Sequence, residues 1–191
     1  MTAPEKVAAL PALTALPTRR MERLLVRCVS QVAFMKGVPP RYLYTSGRPG
    51  RCNPAGVACL YASESEATAN AEYLAPLAGT RAAHQPRLSY FIRVKLAKIV
   101  DCGDAAVRAA LACTDDDFYG TWRLAPSPSR LQRLGLALSL QQEISAVRFP
   151  SHATHRAGRA GWNVAIFPTA LTPPDRVDIL GPDSAALESL P

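Results

Sequence analysis

The chain lacks long apolar runs, closely spaced cysteine pairs and dense clusters of basic residues. A membrane-spanning helix needs about 18 consecutive apolar residues, so none is predicted. The N-terminus has no charged head followed by a clean apolar core, which favours a cytoplasmic protein without a signal peptide. The five cysteines are widely spread and include no C-x-x-C pair, which argues against a zinc site and for reduced thiols.

Charge is what the chain does have, because Lys and Arg outnumber Asp and Glu by 22 to 15, which gives a net charge of +7. A basic protein favours an anionic partner, and nucleic acid, a dinucleotide and an acidic protein all qualify. The basic residues are scattered and match no recognisable nucleic-acid motif, so direct DNA binding is the weaker alternative. With 191 residues and 48% hydrophobic residues, the chain has the size and composition of one folded domain.

The N-terminal part of the chain alternates apolar patterns with Gly/Pro-rich breaks. Helical spacing predicts a helix over Thr18–Lys36, and short apolar runs predict strands over Arg41–Thr45 and Val57–Ala62. Ser63 and Glu66 match a capping box, so a helix is predicted from Ser63 to about Leu77. The eleven-residue stretch between the two predicted strands is rich in Gly, Pro and Asn and is predicted to be a loop.

The C-terminal part mixes further strands and helices. The predicted elements are strands at Leu88–Val100, Ala146–Phe149, Trp162–Phe167 and Val177–Leu180, and helices at Asp104–Ala112, from Asp115 towards Trp122, and from Pro128 or Ser129 to Leu140. A polar, Gly-containing loop is predicted between Phe149 and Trp162. This order predicts a single α+β (mixed α/β) domain with a bent, partly antiparallel sheet flanked by helices. Residues 1–40 are predicted to form an N-terminal extension with one helix, and residues 41–191 the main domain.

The stretch from Gly47 to Tyr73 carries the strongest signal for function. It places Arg51 in the turn-rich loop, Tyr61 at the end of a predicted strand and Glu72 on a predicted helix, at separations of ten and eleven residues. A loop, a strand and a helix in this order can bring the three side chains to one pocket. A cation, an aromatic face and a carboxylate together suit a ligand that has a phosphate, a flat ring and a sugar carbon that becomes positive.

Four ordered motifs resemble the RES-domain family, and the resemblance runs from about Arg41 to Pro168, some two thirds of the chain. They are G-R-x-N-P-x-G-x-x-x-L-Y from Gly50 to Tyr61, T-A-x-x-E from Thr68 to Glu72, F-P-S from Phe149 to Ser151, and G-W-N-V-x-I-F-P from Gly161 to Pro168. The family is named after an arginine, a glutamate and a serine, which correspond to Arg51, Glu72 and Ser151 here. Many members have an aromatic residue where this chain has Cys52.

The resemblance implies a bacterial toxin of a toxin–antitoxin pair with an ADP-ribosyltransferase-like fold. Members of the family consume NAD⁺ by hydrolysis or phosphorolysis, and some are protein ADP-ribosyltransferases. NAD⁺ is then the substrate, and no permanently bound cofactor is expected. The expected partner is an Xre-like antitoxin that blocks the active site, so DNA is contacted only indirectly and no membrane is involved. A non-catalytic nucleotide-binding regulatory module is the alternative of another class.

The resemblance also implies roles for the motif residues. Glu72, Arg51 and Tyr61 are expected to be catalytic, and Arg51, Tyr61, Ser151 and Asn53 to bind the substrate. A carboxylate such as Glu72 stabilises the positive charge that develops when the nicotinamide–ribose bond breaks. The donor fork of Arg51 fits a pyrophosphate. The alternatives are an exposed helix glutamate, an arginine that caps the loop or pairs with Glu72, a core tyrosine and a turn serine.

The later loop supplies candidate residues for the rim of the site. His152 and His155 are spaced i and i+3 without a third ligand, so no metal site is predicted. Arg156 and Arg159 are candidates to hold phosphates or the acidic surface of an antitoxin.

Overall fold

Two long antiparallel strands form the centre of the fold. The computed structural model describes residues 13–35, 43–45, 47–124, 127–141 and 143–191. Strand β1 (Arg19–Ser30) pairs along its whole length with strand β3 (Arg87–Asp101). In β3, alternate side chains between Tyr90 and Leu96 are buried, as expected for a strand that packs one face against a core.

Five shorter strands complete a seven-stranded sheet in the order β1-β2-β5-β4-β3-β6-β7. They are β2 (Leu60–Ser63), β4 (Ala146–Pro150), β5 (Trp162–Ile166), β6 (Arg176–Leu180) and β7 (Ala186–Leu190). Strand β3 pairs with β4 in parallel, and the other pairings are antiparallel. Because β1 pairs with both β2 and β3, the sheet bends back on itself. The predicted α+β domain with a bent, partly antiparallel sheet is therefore confirmed.

Among the described residues, six short α-helices cover the sheet. They are α1 (Gln31–Met35), α2 (Glu66–Leu74), α3 (Ala105–Ala110), α4 (Asp115–Tyr119), α5 (Arg130–Ser139) and α6 (His152–Arg156). One apolar core lies under α3, α4 and α5, and a second one fills the concave side of the bent sheet. Leu131, Leu134 and Leu138 bury one side of α5 at helical spacing. In the part of the chain that the structure describes, no helix is long and apolar enough to cross a membrane.

The helix predicted over Thr18–Lys36 is wrong for most of its length, because Arg19–Ser30 forms β1. Leu25 and Val29 face the core inside the sheet, whereas Val26 and Cys28 pack against α2 on the other face. Burial on both faces removes the alternation that identifies a strand and leaves a spacing that resembles a helix. The domain boundary predicted at residue 40 lies outside the described residues.

Four other features differ from the predictions. Helix α2 is capped by Ser65, whose hydroxyl accepts from the backbone N–H of Thr68, whereas Ser63 ends β2 and bonds to Asn163. The loop predicted between Phe149 and Trp162 contains α6, and β7 was not predicted at all. A strand is predicted at Arg41–Thr45. Residues 41 and 42 lie outside the described residues, and Tyr44 forms an isolated β-bridge with Leu60.

Candidate active site

The main cavity has a volume of about 630 Å³ and opens between α2, α6, the Arg51 loop and the segment after α4. Its walls come from strands β1, β2, β4 and β5 as well. The polar and charged residues that line it include Arg27, Arg51, Tyr61, Glu72, His152 and Arg156. The structure therefore brings the three predicted catalytic residues to one cavity, although they come from three different elements.

Glu72 lies on α2, and the ends of two neighbouring strands hold its carboxylate. Oε1 accepts from the Ser151 hydroxyl at 2.6 Å and from Asn163 Nδ2 at 2.8 Å. Ser151 follows β4 and Asn163 lies on β5. Among the described residues, the side-chain bonds found for Glu72 all end on Oε1, so Oε2 is the oxygen that remains for a ligand.

Ser151 has two local roles, and both use its hydroxyl. It donates to Glu72, and it accepts from the backbone N–H of Thr154 at 3.2 Å as the N-cap of α6. The side chain is 1% exposed. This arrangement favours Ser151 as the residue that fixes Glu72, whereas the predicted direct contact with substrate stays a prediction.

Asn163 is a site residue that the sequence analysis missed. It donates to Glu72, and its own Oδ1 accepts from the Ser63 hydroxyl at 2.7 Å. The chain Ser63–Asn163–Glu72–Ser151 ties β2, β5, α2 and α6 together at the cavity. Asn163 lies within the G-W-N-V motif, so a signal was present, but no chemical role had been attached to it.

The guanidinium of Arg51 is held by two backbone carbonyls and one histidine. Nη1 donates to the carbonyl oxygens of Gly120 at 3.2 Å and Asp117 at 3.5 Å, and Nη2 lies 3.3 Å from His152 Nδ1. Burial lowers the pKa of Arg51 from its usual value, which reflects the cost of desolvating a cation in the wall of the cavity. These contacts fix the cation without a carboxylate partner among the described residues, and its charge stays available to an anionic ligand.

Tyr61 and Asn53 shape the loop that carries Arg51. The Tyr61 hydroxyl accepts from the backbone N–H of Cys52 at 2.7 Å and donates to Asn53 Oδ1 at 2.9 Å. Asn53 Nδ2 donates to the carbonyl oxygens of Arg48 at 2.8 Å and Val57 at 2.7 Å. The carboxamide therefore bridges the two ends of the loop.

Their burial bears on the roles predicted for them. Asn53 is 0% exposed, so the expected direct contact between Asn53 and substrate has no support in this arrangement. Burial raises the pKa of Tyr61 well above its usual value, so its hydroxyl keeps the proton that it donates. A Cβ at Gly50 would lie 2.6 Å from both the Tyr61 hydroxyl and Asn53 Oδ1, which explains the glycine before Arg51.

Arg27 is the second residue that sequence reasoning missed. It projects from β1 into the main cavity, and its buried Nε has no hydrogen-bond partner among the described residues. Burial lowers its pKa, and the charge of Glu72 acts in the opposite direction. A buried donor without a partner is costly, so an anion in the cavity would stabilise it. Because the sequence predicts a helix for this segment, it does not indicate that Arg27 reaches the cavity.

The residues predicted for the rim divide between two cavities. His152 and Arg156 line the main cavity, whereas His155 and Arg159 line a neighbouring cavity of about 450 Å³ on the other side of α6. His155 stacks on Tyr119 with ring centroids 3.7 Å apart. Within the described ranges, no group of His, Cys, Asp or Glu side chains is arranged to hold a metal ion.

Comparison with known proteins identifies the family. The model of the RES domain matches residues 25–186. A chain from the crystal structure of the M. tuberculosis MbcT–MbcA toxin–antitoxin complex shares the fold, with a TM-score of 0.57 and 19% sequence identity. The match covers 87% of this chain and 88% of that chain. No curated protein matches the sequence with significance.

Proposed function

The chain belongs to the RES-domain family, and we propose that it is the NAD⁺-consuming toxin of a bacterial toxin–antitoxin pair that acts in the cytoplasm. The observation that carries this proposal is the cavity in which the Glu72 carboxylate lies with the cations of Arg27 and Arg51. NAD⁺ has the matching groups, which are a pyrophosphate, two flat rings and a glycosidic bond that breaks with charge on carbon. The fold similarity to a chain of a toxin–antitoxin complex supports the same assignment.

The proposed reaction cleaves the bond between nicotinamide and ribose. The electron pair of that bond leaves with the nicotinamide nitrogen, and positive charge develops on the anomeric carbon and the ring oxygen. The Glu72 carboxylate stabilises this charge. Ser151 and Asn163 hold the carboxylate in place before the reaction begins. Such preorganised electrostatic stabilisation is among the largest contributions to enzymatic rates.

The arginines hold the other end of the substrate. Arg51 is fixed by carbonyl oxygens and His152, and Arg27 lines the same cavity, so both cations are suited to the pyrophosphate. We expect Tyr61 and Asn53 to contribute mainly by holding the loop of Arg51. A nucleophile then adds to the anomeric carbon. Water gives ADP-ribose, inorganic phosphate gives its 1-phosphate, and a protein side chain gives an ADP-ribosylated protein.

The proposed partner is an Xre-like antitoxin that covers the cavity. The net charge of +7 and the arginines Arg51, Arg156 and Arg159 favour an acidic or carboxylate-bearing segment of that antitoxin. A carboxylate that reaches Arg51 would compete with the pyrophosphate for the same donors. DNA binding would then belong to the antitoxin.

Expression of the chain in a bacterium tests the proposal. Wild-type protein should arrest growth and deplete NAD⁺, and Glu72→Gln should do neither, because it removes the charge and keeps the size of the side chain. Glu66→Gln is the matched control, since Glu66 is an exposed residue in the first turn of the same helix. Growth arrest with an unchanged NAD⁺ pool would contradict the proposal, and so would equal NAD⁺ depletion by the Glu72→Gln protein.

A further inference from the structure

The imidazole of His152 lies between Arg51 and the C-terminal end of α4. Its Nδ1 is 3.3 Å from Nη2 of Arg51, and the ring also bonds to the backbone of Tyr119. A guanidinium nitrogen is always a donor, so Nδ1 accepts and the proton of the neutral ring lies on Nε2. The contact with Arg51 therefore requires the neutral ring.

We propose that neutral His152 is the positioning residue for Arg51, and that protonation of this ring at acid pH releases Arg51 and weakens NAD⁺ binding. The contact between His152 and Arg51 is seen in the structure, whereas the effect on NAD⁺ binding rests on the proposed function. A proton on Nδ1 would turn the acceptor into a donor that faces another donor. Two cations would then lie 3.3 Å apart, and the guanidinium would lose one of its three anchors.

The charged groups around His152 come from three elements. Arg51 faces it from the loop before β2, Glu72 from α2, and Arg156 from its own helix, and α4 supplies the backbone of Tyr119. Burial lowers the pKa of His152 below its usual value, Arg51 and Arg156 lower it further, and Glu72 and the Tyr119 bond act in the opposite direction. The folded protein therefore favours the neutral ring of His152, because the lowered pKa means that protonation needs a more acidic solution than a free imidazole does.

The pH dependence of NAD⁺ turnover tests the catalytic consequence. For the wild type, kcat/KM should fall as the pH is lowered through the His152 pKa, because kcat/KM reports the groups of the free enzyme. His152→Ala should raise KM about tenfold at pH 7, as expected from the loss of one hydrogen bond to a charged group. His152→Asn should restore most of this loss, because its amide oxygen takes the place of Nδ1, and it should not show the acid decrease.

The matched control is His84→Asn, because His84 is exposed and is not among the residues that line the cavity, and it should keep the wild-type profile. An unchanged KM in His152→Ala would overturn the positioning role. An acid decrease that persists in His152→Asn would overturn the pH sensitivity.

A second measurement does not depend on NAD⁺ turnover. NMR titration of the free protein should show that the pKa of His152 rises in Arg51→Met, because the methionine removes the charge and keeps the length of the side chain. The His152→Asn variant assigns the resonance. A pKa that stays the same in Arg51→Met would overturn the contact itself. If this pKa shifts while the wild type consumes no NAD⁺, the proposed function fails and the contact between His152 and Arg51 stands.

Discussion

The hydroxyl of Tyr61 links the core to the functional loop. It accepts from the backbone N–H of Cys52 and donates to the side chain of Asn53. These are the two residues that follow Arg51 in the loop. Its ring packs edge-on against Phe149, with centroids 6.2 Å apart. A single atom thus connects the strand that carries Tyr61 with the backbone that orients the arginine.

Tyr61→Phe should therefore destabilise the protein by about 1–3 kcal/mol, because the buried N–H of Cys52 loses its partner and the buried Asn53 Oδ1 keeps only the weak donor Cys59 Sγ–H. Urea unfolding of the two proteins measures this difference. Tyr119→Phe is the control, since it keeps the ring that stacks on His155 and should change the free energy of unfolding much less. If Tyr61→Phe unfolds at the wild-type urea concentration, the hydroxyl does not hold the loop as described.

The separate residues of the site were predictable to different degrees. Arg51 and Glu72 were identified because a loop arginine and a helix carboxylate occur in motifs whose chemistry is evident. Arg27 and Asn163 were not identified, because their importance depends on which strands are neighbours. That neighbourhood is set by long-range pairing of β1 with β3 and of β5 with β2, which no local pattern encodes.

At the scale of elements, helix α5 packs against the loop that carries Arg51. Gly135 lies against the carbonyl of Cys52, so that a Cβ built on it would be 1.7 Å from that oxygen and 3.0 Å from Phe167 Cζ. Gln132, one turn earlier, donates to the carbonyl of Gly50 at 2.8 Å. Helix α5 is therefore in direct contact with the backbone of the loop, and this contact fixes the position of the loop in the cavity wall.

Gly135→Ala should push the loop away from α5. We expect a loss of stability of about 1–3 kcal/mol, as for other overpacked cores, together with a clear loss of NAD⁺ turnover. Thermal unfolding and the turnover assay measure the two effects. Leu136→Ala, on the exposed side of the same helix, is the control and should leave turnover unchanged. Wild-type turnover in a stably folded Gly135→Ala protein would show that the loop does not depend on this contact.

The elements show where sequence patterns succeed and where they fail. Strand β3 alternates apolar and polar residues and was predicted almost to its ends, because one face meets a core and the other meets water. Strand β1 was mistaken for a helix, because its second half is buried on both faces. Helix α2 was predicted, but its first residue was not, since the sequence offers two serines and only the fold places Ser63 in β2.

At the scale of the whole molecule, the net positive charge matches the proposed partners. NAD⁺ and an acidic antitoxin segment are both anionic, and the cavity itself contributes the cations Arg27 and Arg51. Charge complementarity of this kind acts mainly on the rate of encounter. The sequence predicts partners of negative charge, whereas the arrangement of the cavity becomes visible only in the three-dimensional structure.

Association with the antitoxin should therefore slow as salt is added. Stopped-flow measurement with the protein encoded beside this chain should give an association rate that falls as the ionic strength rises, and NAD⁺ binding should be lost in the complex. The substitutions Arg156→Gln and Arg159→Gln remove two positive charges and should weaken the salt dependence of the association rate. An association rate that does not change with salt, or undisturbed NAD⁺ binding in the complex, would rule out this mode of inhibition.

The central claim is that Glu72 drives cleavage of NAD⁺ by this chain. Its most direct test is NAD⁺ loss on incubation with the purified protein, with and without phosphate, for wild type, Glu72→Gln and the control Glu66→Gln. We predict that wild type and Glu66→Gln consume NAD⁺ at similar rates, and that Glu72→Gln is slower by about a hundredfold or more, as for the loss of one electrostatic stabiliser. Equal rates for wild type and Glu72→Gln would contradict the account.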